Sequence, residues 1–435
     1  MLKSRFVLLE NTLSKVNEQI IDLELNIDIK DSSSEFELIS YNNKAKFIKK
    51  YVSCLNNKKC PVVINSGIPE ETKQIIYEQI KNEHHHKDGN TLGQILCSSG
   101  TTSESGVPKS YFFEISKSIG NARAHYESFN TSCKQLNILF PLPLSHSFGI
   151  VVGLLGSFVT SSQTYLYEQM PSPVTLIKDT EKYNIDLLYL TPTMARMIIK
   201  HKKFIKLKGS GPRFISIGSS LLYKNEIDEL MEIFKSSQIF FTYGLTEAGP
   251  RVTTLNCGRY GHVNELLEKS NNLPLGEPIS GTELKYTDNL YIKSDYAFTN
   301  DYFDSEDQIE KSGKQVYLKG RADYVIISGG VNIYPDEIEA IVDKIKGVKR
   351  SCIVGVKSKL YGEVPVLCYV AMLEENKNSQ ELKDLINDTL VKKLPSTHIP
   401  HDIIELNNIA TTSLGKVMRT KVEGIIKDQD DRKKS

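Results

Sequence analysis

Short apolar runs separated by turns dominate the middle of the chain. From residue 92 onward they read, in order, LGQILC, KSYFFEIS, LNILFPLPL, IDLLYLTPT, RFISIGSSL and QIFFTYGL. Polar stretches with helical spacing lie between some of them, such as SPVTLIKDTEKYN and YKNEIDELMEIFKSS. Strand-like runs that alternate with helical spacers predict an α/β fold whose active-site groups lie at the ends of strands.

The pattern changes toward both ends of the chain. The N-terminal part is polar, with amphipathic stretches at Ser14–Leu25 and Glu71–Asn82 that predict helices. Residues 273–309 contain strands and turns without long helices, which predicts a small β subdomain. Beyond Gly320, the stretches PDEIEAIVDKI and SQELKDLINDTLVKKL lie among the runs SCIVGV, VPVLCYVAML and IIELN, which predicts a compact α+β unit. The last residues, KDQDDRKKS, predict a solvated tail.

Composition and charge narrow the class of protein. The 54 Lys and Arg balance 53 Asp and Glu, and the net charge of +1 gives no reason to expect nucleic-acid or membrane partners. The seven cysteines are scattered without a CxxC pair, which favours a reducing compartment. The most apolar run, FGIVVGLLGSFV, is too short to span a bilayer, and the first residues lack a signal-like apolar core. We therefore expect a cytoplasmic monomer or homodimer.

One loop carries the first sign of chemistry. In SSGTTSESGVPKS, at 98–110, nine of the thirteen residues are Ser, Thr or Gly. From the residues alone, this is either a flexible linker or a loop whose N–H groups and hydroxyls hold an anion. A Walker A motif does not fit, because the second glycine does not adjoin Lys109 and a strand-like run follows the lysine.

The same loop resembles the phosphate-binding loop of the adenylate-forming, AMP-binding enzymes, which include acyl-CoA synthetases, carrier-protein adenylation domains and luciferases. Their usual pattern is (S/T)SG(S/T)TGxPKG. The resemblance implies that this loop follows the β- and γ-phosphates of ATP and that Thr101 also faces Mg²⁺. The nucleotide-binding residues that it implies are Ser98, Ser99, Gly100, Thr101, Thr102 and Lys109.

The run FTYGLTEAGP, at 241–250, resembles the YGxTE motif of the same family. The resemblance implies that Tyr243 stacks on adenine, with Gly244 beside it in the nucleotide site. It also implies that Thr246 contacts the α-phosphate and that Glu247 ligates Mg²⁺. A carboxylate suits this position because a metal ion bridging the phosphates neutralises developing charge.

Two more runs extend the resemblance toward the C-terminus. FTNDYF, at 298–303, takes the place of the family's TGD, which implies that Asp301 binds the ribose hydroxyls. YLKGRADYVIISGGVNIYPDEIEAIV, at 317–342, resembles the GRxD hinge motif and its continuation. Arg321 is then implied to contact the ribose or phosphates, and Asp323 to be the pivot between two domains.

Three further motifs complete the predicted site. TTSLGKVMRTKV, at 411–422, resembles the terminal motif, whose lysine, here Lys416, bridges the attacking carboxylate and the α-phosphate from an exposed loop. FPLPLSHSFGI, at 140–150, resembles PLxHxxG, which implies that His146 borders the acyl pocket. Gly218 and Ser219 begin GSSLL, which stands where the family supplies backbone to the adenine and the acyl pocket.

The resemblance spans residues 98–416 and implies an architecture like that of acetyl-CoA synthetase. We expect a large N-terminal α/β domain of layered sheets over 1–319, with a β subdomain at about 273–319. A hinge at 320–323 then leads to a small, mobile α+β domain over 324–435.

The implied reaction is ATP-dependent: a carboxylic acid is adenylated with release of pyrophosphate, and the acyl group passes to a thiol. Gly329 and Gly330 in ISGGVNIYPDEIE favour coenzyme A as the thiol, because glycines leave room for a pantetheine arm. The hydrophobic residues Phe148, Ile150 and Leu221 favour an aryl or aliphatic acid. The alternative acceptor is a phosphopantetheinyl carrier protein.

Two departures from the family pattern keep other hypotheses open. Ser103, Glu104 and Ser105 are an insertion within the phosphate loop, and only 97 residues precede that loop, fewer than in typical relatives. Two competing hypotheses therefore stay open. One is a degenerate family member that binds a nucleotide or acyl group without catalysis, and the other is an interaction protein that reuses the fold.

Overall fold

The structure is a computed structural model of the chain. The residues it describes are 1–11, 16–26, 35–66, 68, 70–84, 91–97, 109–129, 135–205, 207, 209, 211–220, 222–259, 273–321, 324–328, 331–358, 361–372, 379–412 and 415–434.

The strands are short and are found along the whole chain. Those up to residue 256 are β1 Leu2–Asn11, β2 Val16–Leu25, β3 Phe36–Ile39, β4 Cys60–Val63, β5 Gly93–Cys97, β6 Ser110–Glu114, β7 Asn137–Leu139, β8 Gln163–Tyr167, β9 Leu187–Leu190, β10 Phe214–Gly218, β11 Gln238–Tyr243 and β12 Thr253–Asn256. Those beyond it are β13 Glu277–Pro278, β14 Thr282–Tyr286, β15 Asn289–Ser294, β16 Phe303–Ser312, β17 Gln315–Arg321, β18 Ile326–Ser328, β19 Val331–Ile333, β20 Val348–Ser358, β21 Gly362–Ala371 and β22 Asp402–Glu405.

Helices connect most of the strands from β3 to β11 and lie among the last strands of the chain. They are α1 Lys44–Asn56, α2 Glu70–His84, α3 Ile115–Glu127, α4 Gly156–Thr160, α5 Pro173–Lys182, α6 Pro192–Lys200, α7 Lys224–Ile233, α8 Pro335–Val342, α9 Ser379–Lys393 and α10 Arg419–Lys434. A π-helical segment, Gly149–Leu155, precedes α4, and all seven of its residues are buried. The apolar run at 148–159 is therefore a core helix.

The largest sheet has nine strands in the order β13-β12-β11-β10-β9-β7-β8-β1-β2. The strands from β11 to β1 run parallel to one another, whereas β12 and β13 at one edge and β2 at the other pair antiparallel. Parallel strands present their carboxyl ends at one edge, so the loops that follow β9, β10 and β11 meet there. The predicted strand-end site lies in this region.

Three smaller sheets complete the fold. The strands β3-β4-β5-β6 form one of them, with α2 packed on a core that includes Ile76, Ile80 and Ile95. The strands β14 to β17 form a four-stranded sheet in chain order, where the sequence predicts a β subdomain. The last sheet has the order β19-β18-β21-β20, with β22 parallel to β21.

The chain divides into two compact units. The N-terminal unit comprises Met1–Lys285, Tyr291–Phe303 and Ser312–Tyr317. The C-terminal unit comprises Tyr286–Leu290, Asp304–Lys311 and Leu318–Ser435. The predicted β subdomain is thus shared, because parts of 273–319 group with the C-terminal residues.

The C-terminal unit has its own two-sided core. One face of its sheet packs against α8 and α9 through residues such as Ile338, Leu367 and Ile386. The other face packs against α10 through Val422 and Ile426, which are both buried. The backbone is helical through Lys434, so the residues predicted as a solvated tail continue a helix whose start is core.

The prediction of a helix at Ser14–Leu25 is also wrong. Residues Val16–Leu25 form a strand that pairs antiparallel with β1, with Ile21 opposite Phe6. Ile21 and Leu25 are buried while Asp22 and Glu24 are exposed, which is the alternation of a strand at a sheet edge. By contrast, the helix predicted over Glu71–Asn82 is present as α2.

Within the described ranges, no helix combines the length and the apolar character needed to cross a bilayer.

Candidate active site

A short turn after β11 presents the two residues of the YGxTE motif that are predicted to face phosphate and metal. Thr246 and Glu247 lie in a single 3₁₀ turn, Thr246–Ala248. The Thr246 hydroxyl is 2.9 Å from the Ser147 hydroxyl, and the Tyr111 hydroxyl donates to Glu247 Oε1 at 2.9 Å. Neighbouring elements therefore fix both side chains, and they leave Glu247 Oε2 without a described hydrogen bond.

The backbone before this turn has no room for a side chain at Gly244. A Cβ atom there would lie 1.8 Å from the carbonyl oxygen of Pro250, so the motif needs glycine for this crossing. Tyr243, the residue before it, is only 8% exposed, and its carbonyl accepts from the Val252 N–H. The stacking of Tyr243 on adenine stays a prediction.

The segment that carries Asp301 is attached to the same turn. The Phe298 N–H donates to the Glu247 carbonyl at 3.1 Å. Lys117 of α3 holds the segment from the other side, since its Nζ donates to the Ala297 carbonyl and to Asn300 Oδ1. Asp301 itself is exposed, and its carboxylate has no hydrogen bond or ion pair with a described residue, which suits the predicted contact with a diol.

His146 lies at the start of the π-helical segment, beside Ser147. It is partly buried, and burial lowers the pKa of its imidazole to about 4. The ring is therefore neutral at pH 7, which fits a wall of an acyl pocket better than an acid or an anion-binding cation.

Gly218 and Ser219 lie where β10 ends. Gly218 is buried against Thr242, and a Cβ atom there would lie 2.5 Å from the Thr242 hydroxyl. Ser219 has φ of +99°, a region that residues other than glycine rarely adopt. Such conformations are often found at ligand sites, although the predicted contacts of both residues with nucleotide stay predictions.

The predicted catalytic lysine is held in a tight loop of the C-terminal unit. The Thr412 N–H donates to the Lys416 carbonyl at 2.7 Å, and the Lys416 N–H donates to Thr412 Oγ1 at 3.2 Å. Gly415 has φ of +82°, which glycine adopts without strain, and Arg350 donates to its carbonyl. The loop is thus defined by hydrogen bonds on both sides of the lysine.

Lys416 is partly buried, which corrects the expectation of an exposed loop. Burial lowers the pKa of its ammonium below the ordinary value, and Arg321 and Arg419 add to this, while Asp307 and Asp336 oppose it. A lysine in such surroundings is less hydrated and interacts more strongly with an approaching anion.

Arg321 has partners within its own unit. Its Nη1 donates to the Ser305 carbonyl at 3.1 Å, and its Nη2 donates to Glu306 at 2.5 Å. Both terminal nitrogens of the guanidinium therefore already donate hydrogen bonds within the protein. The contact of Arg321 with ribose or phosphates stays a prediction.

Several predicted residues lie outside the described residues, and of the phosphate loop only its end is described. Lys109 is exposed, and the strand β6 follows it directly, as predicted. The predicted residues outside the described ranges are Ser98, Ser99, Gly100, Thr101, Thr102, Leu221, Asp323, Gly329 and Gly330, together with the insertion Ser103, Glu104 and Ser105.

Sequence reasoning missed three residues that support the site: Tyr111, Ser147 and Lys117. Tyr111 belongs to the alternating run after Lys109, and Ser147 adjoins His146, so both stand within quoted motifs. The sequence does not show which residues they contact: Tyr111 bonds to Glu247, 136 residues away, and Ser147 to Thr246, 99 residues away.

Comparison with known proteins identifies the family. The AMP-binding enzyme family matches residues 15–291, and the AMP-binding enzyme C-terminal domain matches residues 337–416. The chain therefore belongs to the AMP-binding enzyme family, and the predicted resemblance is confirmed.

Individual relatives are distant. A putative long chain fatty acid-CoA ligase VraA of Staphylococcus epidermidis is 22% identical over 75% of this chain and 69% of its own length. A 3,4-dihydroxybenzoate–[aryl-carrier protein] ligase of Bacillus anthracis is 23% identical over 75% of this chain and 72% of its own. The o-succinylbenzoate CoA synthetase MenE of Bacillus subtilis, in complex with its acyl-adenylate, superposes with a TM-score of 0.73 at 18% identity, covering 90% and 88% of the two chains. The predicted fold class is confirmed.

Proposed function

We propose that this protein is an AMP-forming acid–CoA ligase: it adenylates a carboxylic acid with ATP and then transfers the acyl group to coenzyme A. The observation that carries the proposal is the turn Thr246–Ala248, where a threonine hydroxyl and a half-engaged carboxylate are fixed side by side in a chain that belongs to the AMP-binding enzymes. CoA ligases among its relatives support the choice of reaction.

In the first half-reaction a carboxylate oxygen forms a bond to the α-phosphorus, the bond from that phosphorus to the bridging oxygen breaks, and pyrophosphate leaves. Thr246 donates to an α-phosphate oxygen, Asp301 accepts from the ribose hydroxyls, and Tyr243, with Gly218 and Ser219, borders the adenine. The loop from Ser98 to Lys109 holds the leaving pyrophosphate.

The described residues fit a magnesium ion held by few protein ligands. Glu247 offers one free carboxylate oxygen, and no cluster of three or more His, Cys, Asp or Glu side chains occurs among the described residues. Mg²⁺ is often bound by one or two carboxylates together with phosphate and water oxygens, and Thr101 would be a second ligand. When bound, the ion neutralises charge that develops between the phosphates.

Lys416 stabilises the approach of two anions. Its ammonium lies between the carboxylate and the α-phosphate and offsets their repulsion. The bridge between Thr411 and Val417 and the hydrogen bonds between Thr412 and Lys416 position it, and partial burial strengthens its electrostatic effect.

In the second half-reaction the sulfur of CoA bonds to the acyl carbon, the bond from that carbon to the AMP oxygen breaks, and the thiol proton passes to solvent. We propose that the C-terminal residues beyond 320–323 rotate about Asp323 between the two steps. Gly329 and Gly330 then border the pantetheine arm. Rotation of this kind gates the chemistry without a chemical role for the hinge.

A carrier protein is the second candidate for the thiol acceptor, because one relative is an aryl-carrier protein ligase. Both acceptors present a pantetheine thiol, so the first half-reaction is the same for either.

Exchange of pyrophosphate into ATP tests the first half-reaction. Carboxylic acids are screened one by one, with thioester detected after addition of CoA. We expect exchange that depends on one class of acid, and thioester only when CoA is present. Exchange without any CoA thioester favours the carrier protein, whereas an absence of exchange with every acid supports the degenerate binding protein.

A further inference from the structure

The residue that follows the YGLTEAGP run is a buried arginine without a described anion. Arg251 is 2% exposed, and its Nε and Nη2 have no hydrogen-bond partner among the described residues. Its guanidinium carbon lies 3.6 Å from the ring centroid of Phe148. Contact with an aromatic face stabilises a cation, but it offsets only part of the free energy of hydration that the cation loses on burial.

Two hydrogen bonds hold the backbone of Arg251 and so fix the position from which its side chain extends. Asn121 of α3 donates through Nδ2 to the Arg251 carbonyl at 2.9 Å, and its Oδ1 accepts from the Arg251 N–H at 3.1 Å. Asn121 is itself fully buried.

Two more buried polar groups, one on α3 and one on β10, have hydrogen-bonding capacity that no described residue uses. His125, one turn further along α3, contacts the Tyr189 hydroxyl through Nε2 at 3.0 Å, while its Nδ1 has no described partner. Ser216 is paired in register with Tyr189 on the neighbouring strand, and its hydroxyl is also buried and without a described partner. Buried polar groups are nearly always paired in native proteins, so several together point to a missing ligand.

The charges around Arg251 do not balance. Burial lowers the pKa of its guanidinium to about 10, so it remains a cation at pH 7. Burial, with a contribution from Arg251, holds the pKa of His125 well below its ordinary value, so the imidazole is neutral. A buried cation among neutral groups requires an anion from outside the described residues.

Arg251 lies beside the predicted acyl pocket, and His125 interacts with it electrostatically. Phe148, on which the guanidinium stacks, is two residues from His146, and Arg251 Nη1 is 3.3 Å from the place of a Cβ atom on Gly218. We propose that Arg251 binds a second carboxylate of the acid substrate, so that this protein, given the ligase activity proposed above, acts on dicarboxylic acids.

The geometry of the free donors suits a carboxylate. Nε and Nη2 lie on one edge of the planar guanidinium, and their parallel N–H bonds match the two oxygens of one carboxylate. His125 Nδ1, which has no described partner, is available for a remaining lone pair of the carboxylate. The reacting carboxylate, by contrast, has to meet Lys416 and the α-phosphate.

The test compares acids that differ only in the second carboxylate, such as adipate with hexanoate and terephthalate with benzoate. Exchange of pyrophosphate into ATP gives kcat/KM for each member of a pair, in the wild type and in Arg251→Met, which keeps the stem and loses the charge. We expect kcat/KM of the wild type to be about 30-fold or more higher for the diacid than for the monoacid. The variant should lose this difference and retain its kcat/KM for the monoacid. Arg213→Met, at an exposed arginine that also lies on a phenylalanine ring, is the matched control.

Two results would overturn the inference. One is a wild type that uses monoacids as well as diacids. The other is an equal loss of monoacid and diacid activity in Arg251→Met, which would assign the arginine to the reacting carboxylate or to the fold. If that variant does not fold, Arg251→Lys replaces it, and it should retain the charge but lose most of the diacid preference, because one ammonium lacks the paired edge.

Thermal unfolding with AMP and each acid separates this inference from the ligase proposal. If diacids raise the Tm of the wild type but not of Arg251→Met, and no acid supports exchange, the arginine site stands and the ligase activity does not. If neither acid class stabilises the protein or supports exchange, both proposals fail.

Discussion

His146 illustrates how surroundings decide the role of a residue. Its motif implies a pocket position, and burial removes the charge that a histidine would otherwise carry below pH 6.5. In the unfolded chain the ring takes up a proton as the pH falls below its ordinary pKa, whereas in the folded protein it stays neutral to about pH 4. The contribution of His146 to the free energy of unfolding therefore falls as the pH drops from about 6.5 to 4.

NMR titration of the imidazole carbon-bound protons checks this directly. We expect the His146 resonance, assigned by comparison with His146→Gln, to titrate with a midpoint near pH 4, well below the ordinary value for an imidazole. A midpoint near 6.5 would show that the ring is hydrated and that its place in the pocket wall is wrong.

Tyr111 is the second residue whose role the structure assigns. Its hydroxyl orients Glu247, so Tyr111→Phe should leave the fold intact and weaken metal binding. Loss of a hydrogen bond to a metal ligand typically lowers affinity by about 10-fold or more, so the Mg²⁺ concentration at half-maximal activity should rise by that factor. Tyr361→Phe, at an exposed tyrosine, is the control. An unchanged magnesium requirement would remove Glu247 from the metal site.

Lys416→Ala tests the assigned catalytic lysine. Removing a charge that acts on the transition state should lower the rate of adenylation by about 100-fold or more and leave the binding of MgATP nearly unchanged. Lys421→Ala, at an exposed lysine on the following helix, should have no effect. Equal rates in the two variants would contradict the role proposed for Lys416.

At the scale of residues, the family motifs predicted the charged groups but not what holds them. Thr246, Glu247, Asp301 and Lys416 stand in quoted motifs because their chemistry restricts the choice of residue. Their supports come from distant parts of the chain, and nothing local in the sequence reports a contact over such separations.

At the scale of elements, the local pattern of residues is ambiguous at both ends of the chain. In NEQIIDLEL the apolar residues fit both a helical and an alternating pattern, and only the pairing with β1 decides for a strand. At the C-terminus, the charged residues of KDQDDRKKS obscure a helix that begins earlier, at Arg419, and buries Val422 and Ile426. Tertiary contacts override local propensity in both places.

Arg419 ties this last helix to the rest of its unit. It is buried, donates to Asp336 at 2.7 Å and to Glu339 at 2.9 Å, and also donates to the Ile353 carbonyl. Arg419→Met should destabilise the C-terminal unit by about 3 kcal/mol or more, because it leaves the partly buried carboxylate of Glu339 without its cation.

Hydrogen exchange of the strands β20 and β21 measures the effect of Arg419→Met, with Lys202→Ala at an exposed ion pair of the N-terminal unit as the control. We expect faster exchange in these strands for Arg419→Met alone. Unchanged protection would mean that α10 is dispensable for the core of the unit.

At the scale of the whole molecule, alternation of strands and helices predicted the α/β class correctly, and the motifs predicted the family. The division into units could not be predicted in detail, because 286–290 and 304–311 group with residues that come much later in the chain. Such grouping depends on which faces pack together, and the local pattern of residues does not contain it.

The central claim is that the acyl group passes through an adenylate. The most direct measurement uses the acid that best supports exchange, labelled with oxygen-18 in its reacting carboxylate, together with ATP and CoA, and mass spectrometry of the products. If a carboxylate oxygen attacks the α-phosphorus, one oxygen-18 atom appears in AMP and none in pyrophosphate. Unlabelled AMP, or label in inorganic phosphate with formation of ADP, would contradict the account.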